Sequence, residues 1–465
     1  MEMGKLKKKL TIPHTFTIIF LLIVVIAVLT WIIPSGEFQR VKIDGRMVVK
    51  PGTYHKVAEN PQGIKDIFLA PIDGFIDAAE VVGFVLLVGG AFGIVNKTGA
   101  IESGINHTVK KLNGLEVLII PVSMILFGLG GSTFGMNEET LPFYMIFIPL
   151  MTNLGYDTLT AISTVFLGSG SGVLASTINP FSVGIAQALS NIAPGSGIGY
   201  RTIIFIVILS ISISFVMMYA RKIKRDPKES IVYELDQANK KHFIMDESNI
   251  KPFTLKEGIV LTIFICGMGI MVYGVLKMNW YIPEIAMIFS MIGVFSGVFG
   301  GLKQNEIVDA FLSGASDLVS AALAIALARG IVIVAQNGHI IDTLLNYSAD
   351  ALSKLPKFIF INLSFVLESF MAFLIPSSSG LASLTIPVLS PLSDLVGVSS
   401  QLIVTAYQFG TGLINLITPT SGVLMGALAF ARVPWSKWVR FIAPLFGMII
   451  LACIAFLTIG LYIGY

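Results

Sequence analysis

GSGSGVLASTINPFS, residues 168–182, interrupts a hydrophobic segment with spaced glycines, an Asn and hydroxyl side chains around Pro180. A second stretch, GTGLINLITPTSG at residues 410–422, repeats that composition around Pro419. Neither can stay regular helix, because Pro removes a backbone hydrogen bond and Gly weakens a helix interior. Both read as broken membrane helices. In hydrocarbon each unpaired N–H or C=O costs several kcal/mol, so irregular backbone survives only where it is buried in protein or lines a wet cavity. A transporter binding site is one place that meets this condition.

Composition sets the membrane context. The chain is 54% hydrophobic and 13% charged, with a mean hydropathy of +0.83, whereas soluble proteins are about a quarter charged. The first apolar run, 12–33, is long enough to cross about 30 Å of hydrocarbon. It lacks the small-residue cleavage site of a secretory signal, so it is expected to remain as the first span. Lys5, Lys7, Lys8 and Lys9 precede it and put the N-terminus in the cytoplasm. Residues 35–62 read as an outside loop with a small hairpin around Asp44 and Gly45. Segment 67–80 carries Asp73, Asp77 and Glu80 and leads into a glycine-rich span over 81–95, while 101–112 has the spacing of an interfacial helix. Cys266 and Cys453 lie within apolar runs and are expected to be buried free thiols.

Two short apolar arms, 115–129 and 143–151, are joined by the polar tip GSTFGMNEETLP at 131–142, the pattern of a re-entrant hairpin. The first broken helix then runs outward from Thr158, and 203–219 returns to RKIKR at 221–225, the strongest basic cluster in the chain. That cluster falls inside only if the hairpin counts as no crossing, which is what the positive-inside rule requires. Residues 226–252 are polar and form a linker between an N-terminal half, 1–225, and a C-terminal half, 253–465.

The second half echoes the first. Gly74, Asp77 and Gly90 recur at one constant offset as Gly314, Asp317 and Gly330. The tip at 131–142 is echoed by PSSSGLASLTIP at 376–387, with Ser132, Gly135, Thr140 and Pro142 falling on Ser377, Gly380, Thr385 and Pro387 without a gap. A period of about 240 residues suits a duplicated half-transporter rather than a solenoid. The second hairpin opens from the opposite side, so the duplication is inverted. Arg432, Lys437 and Arg440 fall inside before the last span, 441–463, which leaves the C-terminus outside. The expected fold is an all-α integral membrane protein: an inverted-repeat secondary transporter with about nine crossings, two re-entrant hairpins and two broken helices.

The opening KKKLTIPHTFTIIFLLIVVIAVLTWIIPSGEF at 7–38, the tip FGMNEETLPFY at 134–144 and the two broken helices resemble the YfcC-like branch of the anaerobic C4-dicarboxylate carrier family, within the ion-transporter superfamily. The resemblance extends over nearly the whole chain. It implies two hairpins and two broken helices meeting at mid-membrane, and an elevator motion. It also implies a bacterial cytoplasmic membrane and one of two substrate classes. The family name points to C4-dicarboxylates, and the YfcC-like branch points to antiport of basic amino acids of the arginine and ornithine type.

Glu138 and Glu139 stand out because ionisable groups at membrane depth are costly and usually functional. One of them would pair a cationic substrate group or bind coupling H⁺ or Na⁺. The plainer alternative makes Asn137 the N-cap and the two acids dipole partners of the second arm. Beside them in the substrate set stand Asn137, Thr140, Asn179, Asn415, Thr418, Thr420 and Ser421, with Ser378 and Ser379 at the second tip. Gly170, Ser171, Thr177, Ser182 and Thr411 are the candidates for an ion. These polar side chains would otherwise only re-satisfy the broken backbone. Arg329 is a carboxylate anchor, a partner for Asp317 or a side chain that snorkels to the interface.

The partners expected are a small amino acid or carboxylate, the bilayer and a second copy of the chain, with no nucleic acid. No cofactor is expected beyond a coupling ion. No G-x-x-x-x-G-K-[ST] phosphate loop is present, and the five histidines have no metal-ligand spacing. A channel would need a continuous polar pore, and a membrane enzyme would need a paired nucleophile and base.

The topology is open to direct test with single cysteines in a background lacking Cys266 and Cys453. Cysteine at Asn60 or Ser348 should react with an impermeant thiol reagent on intact cells, and cysteine at Asn113 or Lys224 should not. Labelling of Lys224→Cys from outside would break the inverted arrangement.

Overall fold

The computed structural model describes residues 15–43, 46–104, 116–193, 195–239, 254–278 and 280–465. The lysines before the first span, the turn residues Asp44 and Gly45, most of the expected interfacial helix, Asn113 and the linker beyond 239 lie outside these.

Helix α1 (Thr15–Leu29) is followed by short strands β1 (Gly36–Glu37), β2 (Arg40–Ile43), β3 (Arg46–Val49) and β4 (His55–Lys56). Strands β2 and β3 pair antiparallel with Ile43 opposite Arg46, leaving two residues for the turn, as an Asp-Gly hairpin predicts. Next come α2 (Ile64–Asp77) and α3 (Ala79–Lys97), kinked at Ala78. Then follow α4 (Ile119–Phe134), α5 (Leu141–Asn153), α6 (Thr158–Leu174), α7 (Val183–Leu189), α8 (Ile198–Arg225) and α9 (Tyr233–Ala238). The second half contains α10 (Leu255–Met278), α11 (Ile282–Phe299), α12 (Gln304–Asp317), α13 (Val319–Asn337), α14 (Ile341–Leu352), α15 (Lys357–Leu374), α16 (Ser378–Val396), α17 (Ser400–Asn415), α18 (Gly422–Phe430) and α19 (Trp435–Tyr462).

The described residues are thus mostly helical, and eight of their helical stretches are long and apolar enough to cross a bilayer. Outward faces carry large exposed apolar side chains such as Ile265, Met218 and Leu451, a surface suited to lipid rather than water. Cys266 shares this face. It is free but exposed, whereas Cys453 is free and buried, so only the second thiol is where the sequence predicts.

Both expected breaks are present. The first lies between α6 and α7 at 175–182, and the second between α17 and α18 at 416–421. The first tip joins α4 to α5 through Gly135, in the left-handed region at φ 74°, and a 3₁₀ turn at Glu138–Thr140. The second joins α15 to α16 at 375–377. The stretch Glu116–Phe134 is long enough by length alone to cross, and α5, at 13 residues, is not.

Packing is paired across the halves. Helix α2 lies along α13 and α3 along α12, while α4 lies on α6 and α15 on α17. Glycines set the first two contacts. A Cβ at Gly74 would come 2.3 Å from the Ala326 carbonyl oxygen, and one at Gly314 would come 2.2 Å from that of Gly89. Small residues permit this close approach where hydrophobic burial alone cannot drive helices together in lipid. Arg329 reaches across to Asp77 rather than to Asp317, and Asp317 lies 3.5 Å from Arg432.

Gly314→Ala should therefore lower the thermal midpoint in detergent, through an overpacking cost of about 1–3 kcal/mol. Gly83→Ala is the control, because nothing lies within 4 Å of a Cβ at that position. It should be neutral or stabilising by up to about 1 kcal/mol, as for any mid-helix Gly→Ala change. Equal midpoints for the two variants would show that the contact between α3 and α12 is looser than described.

Candidate functional site

The first break is held by the first tip. Thr177 donates its N–H to the Ser132 carbonyl (3.0 Å), and the Ser132 and Thr177 hydroxyls meet at 3.1 Å. Ser169 Oγ donates to the Met136 carbonyl. A Cβ at Gly135 would strike the Asn179 amide, 2.7 Å away, so only glycine lets the tip settle there. The Asn179 Oδ1 accepts the Phe181 N–H (2.9 Å), which closes a turn through Pro180.

At the tip itself Glu139 is buried and Glu138 lies beside the Asn137 side chain. Asn137 makes no side-chain cap bond. Instead Glu139 Oε2 accepts the Asn137 N–H (2.9 Å), and Thr140 Oγ1 donates to the Asn137 carbonyl (2.6 Å), so the acid itself closes the turn. Among the described residues neither Glu138 nor Glu139 takes part in an ion pair. The tip also faces α18: a Cβ at Gly426 would touch Leu141 at 2.5 Å, and Tyr144 stacks on Phe430. Tyr281, at the start of α11, lies within electrostatic reach of Glu138, Glu139 and Glu80, with its ring 6.3 Å from that of Phe181.

The second break is satisfied differently. Trp438 Nε1 donates to the Leu416 carbonyl (2.9 Å) and Trp435 Nε1 to that of Ile417 (2.8 Å). Thr418 and Thr420 share a hydroxyl bond of 2.7 Å, and Ser421 Oγ accepts the Leu424 N–H. The two broken helices cross, with Gln408 of α17 donating to the Val173 carbonyl of α6 and Gly412 packed on Leu174. Gly170 meets Leu416 at the same crossing. The Ser182 and Thr411 hydroxyls are buried without partners, and Asn415 is half-buried at the end of α17.

Not every candidate converges. Ser171 turns to Ser212 of α8 (2.7 Å), away from both breaks. Ser378 accepts from the Tyr407 phenol through its carbonyl (2.6 Å), and Ser379 pairs with Ser377. The second tip borders a cavity of about 480 Å³ lined by Gly380, Ser383, Glu37, Arg40, His339 and Asp342. Arg40 pairs with Asp342 at 2.8 Å and His339 with Glu37 at 2.6 Å, which clasps the strand-bearing loop to the turn before α14. Neither acid of the first tip lines this cavity.

The sequence reading missed Gln408, Trp435, Trp438, Tyr281 and Glu368. The tryptophans follow Pro434 just before the expected last span, where nothing local marks them. Their indoles bond to the freed carbonyls.

The family model of the C4-dicarboxylate anaerobic carriers matches residues 12–462. The chain belongs to this family. The carrier is 33% identical over 487 residues to the putative basic amino acid antiporter YfcC of Escherichia coli, covering 96% of both chains. It is also 33% identical, over 97% of both chains, to an uncharacterized protein of Haemophilus influenzae. Among solved structures, the YdaH transporter of Alcanivorax borkumensis aligns over 97% of this chain and 99% of its own, at 16% identity and a TM-score of 0.44. The MtrF structure of Neisseria gonorrhoeae, described as illuminating a class of antimetabolite efflux pumps, aligns over 97% and 96% at 17% identity and 0.42. The protein is a membrane transporter and not an enzyme. Among the described residues no group of three or more His, Cys, Asp or Glu could hold a metal ion.

In the carrier the polar stretch after α8 is docked on the start of the first broken helix. Asp157 caps α6 through the Thr160 N–H (2.8 Å) and accepts from Tyr219 (2.5 Å) and Ser230 (2.7 Å). Asp236 of α9 accepts both the N–H (3.0 Å) and the hydroxyl (2.7 Å) of Thr158. Burial pushes the Asp236 carboxyl up to about 6, against the downward pull of those hydrogen bonds. The folded protein therefore holds this proton more tightly than the unfolded chain. Its contribution to stability is full below the ordinary aspartate value of 3.8 and is lost as pH rises through about 6. Between about pH 4 and about pH 7 the stability of Asp236→Asn should gain on the parent by about 2–3 kcal/mol. Thermal midpoints across that range would read the change, and parallel curves would show that Asp236 does not titrate there.

Proposed function

We propose that the carrier is a secondary exchanger of basic amino acids, of the arginine and ornithine type, in a bacterial cytoplasmic membrane. The observation that carries this reading is the pair Glu138 and Glu139: adjacent acids at a turn pressed against a broken helix, without a cationic partner among the described residues. A substrate ammonium or guanidinium would complete them. The Tyr281 ring beside them suits a guanidinium, which is attracted to aromatic faces. Asn179 and the freed backbone of the two breaks offer neutral partners for the substrate α-carboxylate. The name of the 33% identical relative agrees with a cationic amino acid.

The architecture proposed with it has about nine crossings, two re-entrant hairpins and an inverted repeat, with the N-terminus inside. The reciprocal contacts support the repeat: Gly74 meets Gly330, and Gly314 meets Gly89 and Gly93. Helices that correspond across the repeat exchange partners, α2 meeting α13 and α12 meeting α3, as in an isologous interface. Helices α2, α3, α12 and α13 make up the frame, and the hairpins with their broken helices make up the moving part of an elevator. A C4-dicarboxylate substrate is the second reading, favoured by the description of the family model. A dicarboxylate would be repelled by the acidic tip unless Na⁺ or H⁺ intervened.

Glu138→Gln and Glu139→Gln separate the readings. With a cationic substrate, removing its partner in a desolvated site costs about 2–5 kcal/mol, or about thirty-fold or more in affinity. Proteoliposomes loaded with unlabelled arginine and challenged with labelled arginine or ornithine should lose exchange in these variants. Fumarate exchange that is spared in both would favour the dicarboxylate reading. A turn-closing role alone would lower stability by about 0.3–1 kcal/mol and leave affinity intact. Arginine binding as tight as the parent's in both variants would end the cationic role of the tip.

A further inference from the structure

Glu368 is the most completely buried acid among the described residues, at 0% exposure, on the first arm of the second hairpin. Neither of its carboxylate oxygens meets a hydrogen-bond partner in good geometry, and the Thr385 hydroxyl is the polar group that comes nearest to bonding it. Gly410 of α17 packs directly on it, since a Cβ there would sit 2.7 Å from the Glu368 Cβ. Thr385 of α16 and Tyr407 of α17 are its polar neighbours, and both hydroxyls are already used. Thr385 donates to the Leu381 carbonyl (3.0 Å) and Tyr407 to that of Ser378 (2.6 Å). Thr411, beside Tyr407, has a buried hydroxyl with no partner.

The charged side chains of the other helices packed against α15 are turned elsewhere. Arg329 pairs with Asp77, Asp342 with Arg40 and Asp350 with Lys354, while Asp394 accepts from Ser400, Lys437 donates to the Ile231 carbonyl and Arg440 is exposed. An ionised carboxylate cannot be held in such a place without a countercharge, whereas a neutral acid can. A hard cation would need about six oxygens around it, and two committed hydroxyls do not supply them. The helix pairing does not call for an acid either. In the ungapped register that sets Ser132 against Ser377, the first-half counterpart is Ser123 on α4, and α4 packs on α6 as α15 packs on α17.

We propose that Glu368 is the proton-binding site of the carrier. Its carboxylate takes up one proton from water when the second hairpin parts from α17. It holds that proton as the neutral acid in the packed state described here, and releases it to water on the other side. Glu368 thus crosses only as the neutral acid, in both directions, so the exchange moves no net proton but requires Glu368 to be protonated. This rests on the exchanger reading above, and the site lies on the hairpin opposite the acidic tip.

Two readouts test it on the full-length protein. Infrared spectra of the purified carrier, taken without substrate, should contain a protonated carboxylic-acid band that persists at neutral pH and is missing from Glu368→Gln. The band should remain in Glu138→Gln. In proteoliposomes at equal pH on both sides, the parent's exchange of labelled substrate should fall as that pH is raised, whereas the rate of Glu368→Gln, whose amide stays neutral, should not depend on pH over the same range. An unchanged band, or a Glu368→Gln rate that falls with pH as the parent's does, would overturn the assignment. If Glu368→Gln does not purify, Glu368→Asp keeps the acid in a changed setting and must shift the band. The infrared arm needs no substrate, so failure of both arginine and fumarate to exchange would count against the exchanger reading alone.

Discussion

Everything near the centre of this protein depends on one constraint: a helix broken inside hydrocarbon must have its freed peptide groups paired by other protein groups. Each unpaired group costs several kcal/mol, comparable to a sizeable share of the whole stability of a protein. At the first break the debt is met by a hairpin tip, through Ser132 and Thr177. At the second it is met by the indoles of Trp435 and Trp438, from the helix that follows. Two stretches with matching sequence composition thus have different supports. The first break cannot lose its hairpin without exposing backbone, whereas the second keeps its two indole bonds whatever its hairpin does.

That difference bears on which parts can move. The crossing of α6 and α17 at Leu174 and Gly412 ties the broken helices to each other, and the Gln408 amide adds a hydrogen bond to the Val173 carbonyl. The frame helices meet through glycines whose backbones touch, a contact that tolerates no added methyl group. Rigid contacts within each group and fewer between them favour relative motion of whole groups over bending within one. On the proposed elevator reading, the loop clasp of Arg40 with Asp342 belongs to the boundary between the groups, because it joins the strand-bearing loop to the turn beside the second tip.

The breaks were legible because Gly, Pro and Asn act on the backbone locally, and local effects are visible in a single sequence. The Asp-Gly hairpin was legible for the same reason. Pairings set by three-dimensional approach were not. Arg329 bonds to Asp77, 252 positions away, although Asp317 is nearer in the chain and equally acidic. Ser171 sits within the glycine-spaced motif, yet its position on the helix turns it to α8. Asp236 lies in a polar stretch that reads as linker, and nothing in its neighbours announces that it closes the start of α6. Glu368 was passed over because one acid in FVLESF looks like an interruption of an apolar arm. Its meaning comes from the absence of any partner once the helices are packed.

The two hairpins therefore carry acids of different kinds. Glu139 is bound to its own turn through the Asn137 N–H, so its position is fixed and one of its oxygens is committed. A fixed, partly satisfied carboxylate is held in place for a cation to complete it with charge-assisted hydrogen bonds. Glu368 has no such bond and too few oxygens around it to hold a hard cation, so its charge state must follow its surroundings. A pore open from both sides would give both acids water at all times and would leave no reason to bury either one. Acids that are covered in one arrangement and must meet water in another are consistent with alternating access. In such a cycle the cost of burying an unpaired charge lets the carrier cross only with Glu368 protonated and the acidic tip paired.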